Sequence, residues 1–267
     1  MPKQILIAAH ARSGSTFLCR LLKEMPEFQV YLEIFHFHLS VIQQHLHGDY
    51  ETLKDQLGLS NDESSARTEI VCRCRDYLQL LSDMYPEKHL VFKIFPKHLP
   101  HHRLKEVISG SDVIIILRRN LLHSYISNVI SHQTNKWEQF DTSNHKITFN
   151  ERDIMNHVRS VVSFNHEVLQ IARGIGKNPH IIDYESIANS EFPPSFINRY
   201  MSEILAESLT CGSGFLIKRK QDRRALATEK VKNKDALEAF LHNANLVELD
   251  FGEKNCRDSD YQNIITA

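Results

Sequence analysis

The sequence predicts an α/β fold, a doubly wound, mostly parallel sheet of about five strands flanked by helices. Three observations lead there. Short apolar runs recur along the chain and read as strands buried on both faces. Longer amphipathic runs with apolar residues at helical spacing separate them. The first apolar run passes through a turn of small residues into a helical run, a strand–turn–helix unit of the kind that places ligands at the carboxyl ends of parallel strands.

In chain order, the strand candidates are QILIAA (4–9), FQVYLE (28–33), HLVFKIF (89–95), DVIIILR (112–118) and HIIDY (180–184). Helical spacing appears in TFLCRLLKEM, DYLQLLSDMY, LLHSYISNVISH and RDIMNHVRSVVSFNHEVLQIARGIG, the last ending at Gly174 and Gly176 as helices commonly do. The polar segment 133–150 and the basic segment 218–234 read as long loops or mobile surface elements. There is no internal repeat and no low-complexity tract.

The chain of 267 residues, 42% hydrophobic, is long enough to close one substantial core, and we expect a single domain over 1–267. Its 32 basic and 33 acidic residues nearly cancel, so no global field points to nucleic acid or an anionic membrane, and any anion site must be local. Five scattered cysteines form no disulfide framework, which suggests a reducing, cytoplasmic setting. The N-terminal apolar run is only a few residues long, and no segment approaches the roughly 20 apolar residues of a membrane span. We expect neither a signal peptide nor an anchor.

The first motif is the turn Arg12-Ser13-Gly14-Ser15-Thr16. Between a strand ending near Ala9 and a helix beginning near Phe17, it would aim several backbone N–H groups, hydroxyls and the positive end of a helix at one point. That combination suits a phosphate, although a plain strand-to-helix turn uses the same residue types. It is not a Walker A loop. Ala9 stands where that motif has its first Gly and Ser15 where it has its Lys, which argues against an ordinary ATP or GTP role.

Two further stretches carry positive charge. Arg118 and Arg119 arrive where the fourth strand emerges, and Ser124 and Ser127 follow on the next helix, so guanidinium and hydroxyl groups can converge on a second anion. The alternative is a solvated arginine pair that caps the strand edge. The densest basic cluster, Lys218, Arg219, Lys220, Arg223 and Arg224, reads by itself as a solvated face.

Taken together and in this order, the three stretches resemble the sulfotransferases that use 3'-phosphoadenosine 5'-phosphosulfate (PAPS). In that family a loop of the form [RK]-S-G-[ST]-[ST] holds the 5'-phosphosulfate. Here it reads Arg12, Ser13, Gly14, Ser15 and Thr16. The family's second element pairs an Arg at a strand end with a Ser eight residues later, both on the 3'-phosphate, and Arg119 and Ser127 stand at that spacing. The late basic loop that closes over the nucleotide corresponds to the stretch holding Arg219, Lys220 and Gln221. Phe17 falls where many cytosolic members carry a Trp, a position facing the nucleotide. The resemblance implies a P-loop-like sulfotransferase domain with PAPS as donor, the bisphosphate PAP as product, and no metal.

In-line transfer of a sulfuryl group to a hydroxyl requires a cation beside the bridging oxygen and a base for the acceptor proton. Arg12 is the natural cation. For the base, the stretch QVYLEIFHFHL offers Glu33 at the end of the second strand candidate and His36 and His38 just beyond. It resembles the GEIF-like stretch of bacterial and carbohydrate-type members, with Leu32 in place of the common Gly. Because an unperturbed imidazole titrates near neutrality, His36 and also His98 compete with Glu33. Lys93, in an apolar strand, adds a second positive charge near the sulfuryl group or else snorkels to the surface. The 16 histidines raise the question of a metal, but none of their pairs, nor Cys72 with Cys74, has zinc-closing spacing. The expected partner is a hydroxyl-bearing acceptor, whether a glycan, a glycolipid or a small metabolite. Two other readings remain open: a kinase with a degenerate phosphate loop, and a PAP-binding module without turnover.

Overall fold

The computed structural model describes residues 1–137, 141–211 and 227–243. Five strands, β1 (Gln4–Ala9), β2 (Phe28–Val30), β3 (His89–Ile94), β4 (Val113–Arg118) and β5 (His180–Asp183), form one sheet in the order β2-β3-β1-β4-β5. All four pairings are parallel. The apolar runs read as buried on both faces are so in β1, β3 and β4, whose interior residues are shielded from solvent on either side. Edge strand β5 leaves His180 and Ile181 exposed.

β2 is shorter than the sequence suggests. After Val30 single bonds continue the pairing, from the Tyr31 N–H to the Val91 carbonyl at 2.8 Å and from the Lys93 N–H to the Leu32 carbonyl at 3.1 Å. The chain then turns at Glu33, whose carbonyl accepts from the His36 N–H. Glu33 is therefore tied to β3 without belonging to a strand.

The helices are α1 (Ser15–Lys23), α2 (Leu39–Leu46), α3 (Asp49–Leu57), α4 (Glu63–Cys72), α5 (Cys74–Asp83), α6 (His101–Gly110), α7 (Leu121–Thr134), α8 (Glu151–Gly174), α9 (Tyr184–Ala188), α10 (Pro193–Leu205) and α11 (Lys234–Asn243). The described residues divide into two compact units. One contains the whole sheet with α1 to α6, the end of α8, α9 and α10. The other contains residues 11–13, α7, the start of α8 and α11. In the first, Ile5, Ile7, Leu18, Leu22, Val91, Ile115, Ile197 and Met201 belong to one buried cluster. In the second, Tyr125, Ile130, Ile147, Phe149, Val162, Val231 and Phe240 form another.

The two segments expected as surface loops are partly structured. Within 133–150, Ile147 forms a parallel bridge to Val231, and both are buried together with Phe149. Apolar residues at alternate positions, Ile147 and Phe149, dock this stretch on the second core. Within 218–234, residues Ala227–Lys230 form a 3-10 turn, and Lys230 is buried.

Strand order reverses at β1: the chain builds β2 and β3 on one side of it and β4 and β5 on the other. In a parallel sheet this reversal opens a crevice at the carboxyl ends of the strands. The loop after β1 and the last residues of β3 lie at that end of the sheet.

Candidate active site

Gly14 begins the site. It caps α1 at φ 89°, in the left-handed region, and its carbonyl accepts from the Phe17 and Leu18 N–H groups. A Cβ here would fall 2.1 Å from Cδ2 of Tyr184. Both the backbone and the close approach of that ring therefore require Gly. Ser15 is buried in the first turn of α1. Phe17 packs edge-on to Tyr184, with ring centroids 6.2 Å apart.

In the same unit, Lys93 arrives from β3 and is 1% exposed. Its ammonium donates to Thr16 Oγ1 at 2.9 Å and pairs with Glu33 Oε1 at 3.2 Å. A buried lysine survives only with such partners, so Lys93 is not a snorkelling surface residue. Thr16 from α1, Lys93 from β3 and Glu33 from the turn after β2 thus share one run of polar contacts.

Glu33 also faces imidazoles. Its Oε2 lies 3.9 Å from Nε2 of His36 and 3.9 Å from Nε2 of His98. These three residues offer ligand atoms within 4.8 Å of one another, as a metal site would. The rest of each ring argues otherwise. His98 Nδ1 accepts from the Phe95 N–H at 3.2 Å, His36 Nδ1 accepts from the His38 N–H at 3.1 Å, and His45 Nδ1 accepts from the Glu33 N–H at 3.2 Å. An imidazole nitrogen that accepts a hydrogen bond carries no proton, so each neutral ring bears its proton on Nε2. On His36 and His98 the atoms facing Glu33 are thus N–H donors, which neither ligate a metal nor take up a proton.

Burial acts in the same sense. It lowers the His98 pKa to about 3, helped by His36, Lys93 and Arg67, and it lowers His36 and His45 below the usual imidazole value. For His36 and His98 burial penalises the charged ring, which sets both below the unperturbed imidazole value.

In the second unit the first two motifs meet. Arg12, at φ 65°, donates from Nε to Ser127 Oγ at 3.0 Å and from Nη1 to the Trp137 carbonyl, while Arg119 Nη1 donates to the Arg12 carbonyl at 2.7 Å. Arg12, Arg119 and Ser127 are therefore adjacent although more than 100 residues separate the first from the others. Ser13 is buried, and its hydroxyl has no hydrogen-bond partner among the described residues. An orphaned hydroxyl in a loop of this shape fits an oxyanion ligand. Ser124 does not join the arginines, since it is buried against His157 Nε2 at 3.2 Å.

Arg118 is bound elsewhere. It forms a two-pronged pair with Asp183, Nε to Oδ1 at 2.9 Å and Nη2 to Oδ2 at 3.2 Å, across a register in which the two residues stand opposite each other on β4 and β5. Arg219, Lys220 and Gln221 lie outside the described residues. Sequence reasoning missed His45, Arg67, Asp183 and Tyr184 at this end of the sheet. Only Asp183 carried a signal, as a carboxylate ending an apolar strand.

A parallel α/β sheet with a glycine-capped loop at its reversal point defines the broad class: P-loop-like folds. The comparison with solved structures narrows the fold. The chain resembles the sulfotransferase domain from the curacin biosynthetic pathway at 14% identity and a TM-score of 0.51, over 100% of this chain and 97% of that one. Also similar are the sulfotransferase domain of the Synechococcus PCC 7002 olefin synthase (14% identity, TM-score 0.48, 99% of this chain and 94% of that) and a sulfotransferase from Alicyclobacillus acidocaldarius (17%, 0.47, 98% and 99%). No family model and no curated protein matches the chain. The fold is that of a sulfotransferase domain.

Proposed function

We propose that this chain is a PAPS-dependent sulfotransferase, acting as a single domain in the cytoplasm on a hydroxyl acceptor. The observation that carries the reading is the polar run Thr16–Lys93–Glu33, which ties the phosphate-type loop to a carboxylate suited to act as base. The junction of Arg12, Arg119 and Ser127 supports it independently, because the two motifs recognised in sequence come together.

In this reading Ser13, Gly14, Ser15 and Thr16 hold the 5'-phosphosulfate. Arg119 and Ser127 hold the 3'-phosphate, Arg12 belongs to the 5'-phosphosulfate loop and is the cation beside the bridging oxygen, and Phe17 lies near the nucleotide. Arg219, Lys220 and Gln221 are the proposed closing loop. The acceptor oxygen attacks sulfur and gives its proton to Glu33. The bond from sulfur to the bridging oxygen breaks, and that oxygen leaves on PAP with the electron pair. In this reading Lys93 adds a second positive charge that offsets the charge developing as that bond lengthens. His36 and His98 act beside Glu33 as N–H donors rather than as bases, since their Nδ1 atoms are already engaged. No metal is required. The resemblance around Glu33 favours a bacterial or carbohydrate-type member.

Thermal shift tests the nucleotide assignment. PAP should raise the Tm clearly more than AMP, because only PAP carries a 3'-phosphate for Arg119 and Ser127. Equal shifts would remove that assignment, and a shift with ATP in place of PAP would favour the kinase reading.

A further inference from the structure

The surroundings of Glu33 are unbalanced in charge. Among the described residues, Glu33 is the one carboxylate in contact with a group that contains Lys93, His36 and His98. Next to this group stands Arg67, on α4. Its Nη2 donates to the His98 carbonyl at 3.1 Å, and its guanidinium lies 5.7 Å from the centroid of the Phe37 ring. It makes no ion pair with a carboxylate among the described residues, and its Nε is buried without an acceptor. A guanidinium carries five donors in a rigid plane matched to an oxyanion, and it is seldom left with one carbonyl and a ring face.

The neighbouring groups share this chemistry. Phe37 is half exposed, 49%, although it is aromatic and touches the rings of His36 and His98 at 5.8 and 5.4 Å. The rings of His36 and His98 present N–H donors toward Glu33, for the reason given by their backbone bonds. An exposed aromatic face, a guanidinium without a counter-ion and imidazole N–H donors beside one carboxylate describe a site for an apolar body bearing an anion.

We propose that the acceptor is a hydroxylated carboxylic acid whose carboxylate is bound by Arg67 and whose apolar part rests on Phe37, with its hydroxyl at Glu33. The inference rests on the sulfotransferase reading for the role of Glu33, but the anion site itself does not. Arg67 is a specificity residue that tells a charged acceptor from its neutral analogue.

Calorimetry on the full chain saturated with PAP tests this with para-hydroxyphenylacetate, mandelate and lactate, each against its primary amide. At least one acid should bind about tenfold or more tightly than its amide, the gain expected of one charge-assisted pair. In Arg67→Gln that gap should fall below about twofold, and Arg67→Lys should restore part of it. Thermal melts of both variants show whether folding is kept, and the lysine variant preserves the test if the glutamine variant unfolds. The proposal is overturned if no acid outbinds its amide, or if the preference survives Arg67→Gln. Should PAP fail to bind, the sulfotransferase reading falls, while the acid–amide comparison on the nucleotide-free chain still decides for or against the Arg67 site.

Discussion

Lys93 Nζ sits 3.2 Å from Glu33 and 2.9 Å from Thr16, so replacing Glu33 alters both a proton acceptor and a buried ion pair. Glu33→Gln should lower turnover by about 10² or more, with PAP affinity held within a few fold. It should also cost stability, toward the lower side of the roughly 3–5 kcal/mol for breaking a buried pair, because the amide oxygen still accepts from Nζ. Adding Lys93→Met should return much of that stability and none of the turnover. Turnover recovering with stability would assign Glu33 a structural role alone. For the nucleotide, Arg119→Ala should weaken PAP by about 1.5–3 kcal/mol, and Ser127→Ala by less, both read by calorimetry. Unchanged affinity in both would reduce the Arg12–Arg119–Ser127 junction to a scaffold contact. The motif residues were legible because their spacing is set by a strand end and a helix start. Arg67 and His45 were not. Each acquires its role by reaching a backbone group on a distant segment, His98 in one case and Glu33 in the other, which no local pattern encodes.

At the scale of elements, the turn from β1 into α1 depends on one residue. Gly14→Ala adds a Cβ that meets the Tyr184 ring at 2.1 Å and fixes a non-glycine residue at φ 89°. A loss of about 1–3 kcal/mol in urea unfolding is expected, together with weaker PAP binding. Shortening the ring with Tyr184→Leu in that background should recover only the steric part, since the φ strain remains. Full recovery would show that the left-handed backbone is not required. The strands β1, β3 and β4 were readable because burial on both faces leaves a continuous apolar run. β2 was overread, since Tyr31 and Leu32 keep the apolar character of the run past Val30, where regular pairing ends. The helices α2 to α4 escaped notice because each buries only three residues, Ala66, Ile70 and Val71 in α4 for example, too few to mark a helical stripe in the sequence. The bridge of Ile147 to Val231 joins segments 84 residues apart, so a polar-looking stretch concealed two core positions.

For the molecule as a whole, the buried histidines link folding to pH. His98 is held neutral down to about 3, against an ordinary value of 6.5, so between those values the unfolded chain binds a proton that the folded chain refuses. Stability is therefore complete above the ordinary value and falls as pH drops toward 3, by up to about 1.4 kcal/mol per pH unit for this one group. His36 and His45, lowered in the same direction by burial, steepen the fall. His98→Asn keeps an oxygen to accept from the Phe95 N–H and removes the titration, so urea unfolding at pH 7 and pH 5 should show a smaller loss in the variant than in the parent. An equal loss would place the acid sensitivity in other groups.

Cys19, Cys72, Cys74 and Cys211 are free thiols, and no described helix is long and apolar enough to cross a membrane. Sulfuryl transfer is measured by following the sulfur itself. Sulfur-35-labelled PAPS is incubated with the full chain and a panel of hydroxyl compounds that includes the acids and amides named above, with Glu33→Gln in parallel. Labelled organic sulfate and stoichiometric PAP are expected from the parent chain, and at least about 10²-fold less from Glu33→Gln. Label that stays on PAPS while the protein transfers the terminal phosphate of ATP would rule out sulfuryl transfer, and transfer that proceeds unchanged in Glu33→Gln would rule out Glu33 as the base.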